Sequence, residues 1–132
     1  MRIETCREKH WFFTEKYAFH ESLNKRLLED SKTFNWFRDA SNSNGYPTNV
    51  KALQTANTLI LKNKVPFVNS KNVFLLRDWI LTLMRDKKMG AGLDLNLNQI
   101  WMAKYVKGDY TVPHDHIPAC FAFVYFLQCP KG

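Results

Sequence analysis

Apolar residues recur every three or four positions in the stretch from about Asn72 to Lys87. Val73, Leu76, Trp79, Ile80, Leu83 and Met84 fall on one side of a helical repeat, with Arg77, Asp78, Arg85 and Asp86 turned the other way. The spacing predicts an amphipathic helix laid over a sheet. Ser70 or Asn72 supplies its N-cap, and Gly90 and Gly92 its stop. A second helix is predicted from about Thr14 to Asp30, where Tyr17, Leu23, Leu27 and Leu28 stand among charged residues and Thr14 is the candidate cap. Lys51 to Lys62 carries Leu53, Ala56, Leu59 and Ile60 at near-helical spacing, although Thr55, Asn57 and Thr58 weaken the pattern.

The remaining stretches follow other rules. Trp11-Phe12-Phe13 fits either a strand or the lead-in to a helix, and Phe34, Trp36 and Phe37 form an aromatic group expected to pack on a core. Ala40 to Thr48 is dense in turn formers and reads as a surface loop. Leu93 to Asn98 alternates strictly between apolar and polar, as a half-exposed strand or extended lead-in does.

The last third changes character. Trp101 to Val106 and Tyr110 to Val112 are rich in aromatic and β-branched residues and flank Lys107-Gly108-Asp109, so one strand is expected to fold back on another there. His114 and His116 follow, two apart, ahead of the apolar run Phe121 to Leu127. On an extended chain, residues i and i+2 share a face, so both imidazoles project together while Asp115 turns away. Two neutral imidazoles facing one cavity suit a borderline divalent metal such as iron or zinc. Asp115 becomes the alternative ligand if the strand is bulged.

This segment resembles the iron(II)/2-oxoglutarate-dependent oxygenases, in particular a subfamily found in bacteria and their phages. The matching pieces are Trp101, Tyr105, Lys107 to Tyr110, Pro113 to His116, Pro118 displaced by one through Ile117, and Val124-Tyr125-Phe126-Leu127. Upstream of Asn98 the likeness is only general.

The resemblance implies a double-stranded β-helix, or jelly roll, and two cofactors, Fe(II) and 2-oxoglutarate. His114 is then the first metal ligand, and His116 takes the position usually held by a carboxylate. Tyr110 and Tyr125 are candidates for binding the cosubstrate carboxylate, with core or rim packing equally open to each. Lys104 either adds charge near that carboxylate or is an exposed strand lysine. Iron in such a site takes the 2-oxo acid and activates dioxygen for hydroxylation of a substrate that the resemblance does not specify. The family's distal histidine and its basic cosubstrate-binding residue have no counterpart by Gly132. A facial site needs three protein donors. The resemblance thus implies part of a longer oxygenase, a truncated relative, or a half-site that a partner completes.

The expected organisation is therefore one α+β domain over 1–132. Helical support occupies about 1–92, and the start of an incomplete jelly roll about 93–132. The alternative function is a non-catalytic binding or assembly protein that retains part of the framework, its uncovered strand edges and apolar faces calling for a homo-oligomer or a protein partner.

Composition sharpens this in three ways. Nineteen aromatic residues in 132, ten of them Phe, supply a core and exclude disorder. The formal charge of +7 favours anionic contacts, but the basic residues are scattered, with no run longer than Lys25-Arg26 or Lys87-Lys88, so a nucleic-acid-binding module ranks a distant third behind the two readings above. Cys6, Cys120 and Cys129 are odd in number and unpaired in spacing, which predicts free thiols used in core packing. No apolar run reaches signal-peptide or membrane-span length. The expected location is the cytoplasm of a bacterium or phage-infected host, or a particle assembled there.

Overall fold

The computed structural model describes residues 2–5, 11–38, 49–55, 70–89, 94–97, 99–114, 116 and 119–131. The fold is α+β. In chain order, β1 (Arg2–Thr5) and β2 (Trp11–Thr14) pair antiparallel, with Ile3 opposite Phe13 and Thr5 opposite Trp11. This resolves the Trp11 group as strand. It also corrects the first helix start: Thr14 closes a strand ladder, and α1 spans His20–Ser31 behind Phe19, which makes no side-chain cap bond.

Next come β3 (Phe37–Arg38), β4 (Val50–Lys51) and β5 (Leu53–Gln54). The helix expected from Lys51 is thus a strand at its beginning, and its remainder lies outside the described residues, as does the Ala40 to Thr48 loop. The reason is tertiary. Val50, Ala52 and Gln54 are buried while Lys51 and Leu53 are half-buried, a period of two imposed by pairing with distant chain.

The longer helix, α2, spans Lys71–Asp86, and the predicted cap is present: the Ser70 hydroxyl accepts from Val73 N at 3.2 Å. Its stop comes earlier than the glycines, which lie outside the described residues. Lys88 adopts a positive φ of 54°, its N–H reaching Arg85 O at 2.9 Å, while Met89 N reaches Met84 O at 2.9 Å. Those two bonds are the Schellman pattern, built here on a lysine.

β6 (Ala103–Lys104) and β7 (Tyr110–Thr111) complete the described elements. They flank a turn but do not pair with each other. β6 pairs with β5, placing Leu53 opposite Lys104, and β7 pairs with β4, placing Lys51 opposite Tyr110. Ala52 alone separates β4 from β5, whereas Tyr105 to Asp109 separate β6 from β7. The expected hairpin is therefore a single returning strand with a turn inserted in it. β3 adds on the other side of β5, giving order β3-β5-β6, and none of the described sheets closes or curls on itself.

The core lies between the helices and the chain that follows α2. Leu23, Leu27, Phe34, Val73, Leu76, Ile80 and Ile100 form its buried cluster, with Tyr17, Trp36, Trp79, Leu97, Trp101, Tyr125 and Leu127 packed around it. The expected packing of Phe34 and Trp36 is present, and Trp36 Nε1 donates to Ser31 O at 3.0 Å. Polar bonds lock the helix ends together. Asp30 Oδ2 accepts from the Ser70 hydroxyl at 2.6 Å and from Asn72 Nδ2 at 2.8 Å, and Asn72 Oδ1 accepts from Arg26 Nε at 3.0 Å.

The C-terminal apolar run joins this core by one side only. Asn24 on α1 donates to Leu127 O at 3.1 Å and accepts from the Tyr125 hydroxyl at 2.7 Å. Tyr125 and Leu127 turn inward, leaving Val124 76% and Phe126 70% exposed. The same geometry corrects the cysteine expectation: Cys120 and Cys129 are free but exposed, and Cys6 lies outside the described residues. No described helix is long and apolar enough to cross a membrane.

Candidate functional site

The turn inside the returning strand sets up the histidine segment. Asp109 N donates to Val106 O at 2.9 Å, and Gly108 takes φ 93° at the third position, the left-handed value a type II turn requires and the reason glycine stands there. Asp109 closes the turn from both ends. Its Oδ2 accepts from Val106 N at 2.9 Å and its Oδ1 from Arg38 Nη1 at 2.8 Å. Across the base, the Tyr105 hydroxyl bonds the Thr111 hydroxyl. Val112 N then donates to Asn49 O at 2.8 Å, extending the β4–β7 ladder up to Pro113.

The Val106 N–H, and after it Arg38, stabilise the charged form of Asp109 and hold its carboxyl below the ordinary carboxylate value. The sign follows from linkage. A depressed folded-state value contributes stability that is present above the unfolded value and lost as pH falls through the folded one. A carbon-detected NMR titration of Asp109 is expected to give a midpoint below that of an unstructured Asp. Arg38→Ala should bring the midpoint only part of the way back, because the backbone donor is the larger cause. A midpoint at or above the unstructured value would contradict this account of the turn.

Beyond the ladder the two histidines stand together, their ring centroids 4.8 Å apart at 72°. His114 Nδ1 donates to Val112 O at 2.7 Å, so a neutral ring keeps its lone pair on Nε2. That is the arrangement by which metal-binding histidines are oriented, the second ring nitrogen tied to a carbonyl. Both rings are exposed to solvent. His116 also lies 6.0 Å from the ring of Trp101, whose other contacts are with the core.

The other candidates are placed as follows. Asp115 lies outside the described residues. Tyr110 is 59% exposed on the sheet, opposite Lys51, and Lys104 is exposed opposite Leu53. Tyr125 is joined to the helices: its hydroxyl donates to Asn24 and its ring meets Trp79 at 6.2 Å. Burial, and then the nearby Tyr17 phenol, push the Tyr125 phenol above its ordinary value.

Arg38 is the residue that the linear reading missed. It lies 71 positions from the carboxylate it holds, and nothing short of the β3–β5–β6 pairing announces it. Among the described residues, no group of three or more His, Cys, Asp or Glu side chains converges to hold a metal. The histidine pair alone falls short of the three protein donors that a facial metal site uses. Comparison with family models, with curated proteins and with solved structures gives no match to this chain.

Proposed function

We propose that His114 and His116 are metal-binding residues of an iron(II)/2-oxoglutarate-dependent oxygenase, and that the strands around them belong to a partial jelly roll. The observation that carries this is the joined imidazole pair, with His114 Nδ1 committed to Val112 O and Nε2 left to coordinate. Its support from sequence is the order of Trp101, the Lys107 to Tyr110 turn, Pro113 to His116 and the Tyr125 segment. The described residues do not complete the site, so the reading requires a third donor, from Asp115, from further sequence or from a partner. Of the two tyrosines offered to 2-oxoglutarate, Tyr110 is the more accessible, because the Tyr125 hydroxyl is engaged by Asn24.

A second reading, a non-catalytic binding or assembly protein on the same framework, is favoured by a different observation. The extended run Phe121 to Leu127 turns Val124 and Phe126 outward, and none of its residues enters a described strand ladder.

One experiment separates the two. Iron(II) is titrated into the protein under anaerobic conditions while the His114 and His116 imidazole resonances are followed, and succinate release is then measured with 2-oxoglutarate and oxygen. The oxygenase reading expects both resonances to respond and succinate to form, each lost in His114→Ala. Metal binding without succinate supports the second reading. Metal affinity unchanged in both His114→Ala and His116→Ala would overturn the site itself.

A further inference from the structure

The strand register collects basic side chains that the sequence keeps apart. Directly paired residues share one face of a sheet, as do residues two apart on a strand. Arg38 is opposite Leu53 and Leu53 is opposite Lys104, so these three form one row across β3, β5 and β6. Lys51, two before Leu53 across the bend at Ala52, is opposite Tyr110 in the adjoining two-stranded sheet, and the burial of Val50, Ala52 and Gln54 puts Lys51 on the same side as Leu53. Burial separates the two faces on β4 and β5, where Val50, Ala52 and Gln54 are buried and Lys51 and Leu53 half-buried; Arg38, Lys104 and Tyr110 are exposed, and on β6 and β7 the opposite-face residues Ala103 and Thr111 are exposed as well.

The charge on this face is of one sign. Among the described residues, Arg38, Lys51, Lys104 and Lys107 stand in these strands or their turn, against Asp109 alone. That carboxylate is only 10% exposed and is taken up by Arg38 and the Val106 N–H. Among the described residues, neither Lys51 nor Lys104 forms an ion pair. Strands about 4.8 Å apart place Arg38 and Lys104 roughly 10 Å from each other across Leu53. The face is thus a basic rim around an apolar centre, with one exposed aromatic ring beside a lysine.

We infer that this outer sheet face, formed by Arg38, Lys51, Leu53, Lys104 and Tyr110, binds single-stranded nucleic acid. The lysines are compact point charges suited to phosphate, whereas forked recognition of carboxylates belongs to arginine, and Arg38 already spends a guanidinium nitrogen on Asp109. The exposed Tyr110 ring offers a stacking surface that an unpaired base can use and a paired base cannot. This combination of cations and an aromatic on an open sheet favours a single strand over an acidic peptide. The inference stands apart from metal binding at the histidines.

The test uses the metal-free full chain and a labelled single-stranded thymidine oligonucleotide, with affinity read by fluorescence anisotropy across a salt series. The wild type is expected to bind with an affinity that falls as salt rises. Lys51→Glu/Lys104→Glu should weaken binding at least about tenfold and lower the salt slope by about 1.4, the single-strand value for two phosphate contacts. Tyr110→Ala should cost roughly tenfold on the single strand. Lys25→Glu/Lys87→Glu, with the same charge change placed on α1 and at the C-cap of α2, should leave affinity nearly unchanged. If the Glu pair does not fold by circular dichroism, Lys51→Gln/Lys104→Gln replaces it. Equal losses in the two double variants would reduce the effect to net charge and overturn the assignment. So would displacement by polyglutamate as effective as by the oligonucleotide, or equal affinity for a duplex.

Discussion

Leu27→Ala is expected to lower the free energy of unfolding by about 2–5 kcal/mol, the range for deleting a buried leucine side chain without collapse of the space it leaves. Leu27 is 1% exposed and Leu23, one helical turn earlier, is 0% exposed. Both belong to the cluster that joins α1 to Val73, Leu76 and Ile80 of α2 and to Ile100 of the following chain. A truncation here removes contacts from both helices and from the returning chain at once. Domains of this size have stabilities of about 5–15 kcal/mol, so the loss is a large share of the whole. Urea denaturation should show a lower midpoint with an unchanged slope, since the surface exposed on unfolding is nearly the same. Lys25→Ala, on the exposed side of the same helix, provides the comparison and should stay within about 0.5 kcal/mol of wild type. Equal effects from the two substitutions would mean that α1 is not held by this cluster.

Asp30→Ala is expected to cost about 1.5–3 kcal/mol, from the loss of two hydrogen bonds to one carboxylate oxygen. The Ser70 hydroxyl both donates to Asp30 and accepts from Val73 N, so the carboxylate orients the cap of α2 from the end of α1. Asn72 Nδ2 loses its acceptor in the same step while its carbonyl stays with Arg26. The change should therefore appear locally as faster exchange of the Val73 amide, as well as globally in the urea midpoint. Asp30→Asn keeps an acceptor oxygen and should lose less. A double-mutant cycle with Ser70→Ala should show coupling, because one hydroxyl serves both interactions. Additive effects would mean that cap and carboxylate act independently.

These two sites show different degrees of legibility. The cap at Ser70 and the stripe from Val73 to Met84 are local patterns, readable because a helix satisfies its own backbone and needs a partner only for one face. Asp30 as an anchor for that cap was not readable, since its side chain fits a solvated helix end as well as an interhelix bond. The histidine pair was legible as a spacing, and the structure brings the rings together. The Val112 carbonyl that orients His114, and the Trp101 ring beside His116, became visible only with the chain folded.

By itself the sequence determined the α+β character, α2 with its cap, the aromatic packing of Phe34 and Trp36, and the turn at Gly108. Each depends on residues close in the chain or on burial of large apolar groups. Tertiary structure alone decided that Thr14 ends a strand, that Lys51, Leu53 and Gln54 lie in strands instead of the helix expected from Lys51, that β6 and β7 pair with the same distant segment, and that Arg38 meets Asp109. It also decided that scattered lysines share a face. Strand identity and register belong to the pair, not to either strand, because every ladder hydrogen bond joins one strand to its partner.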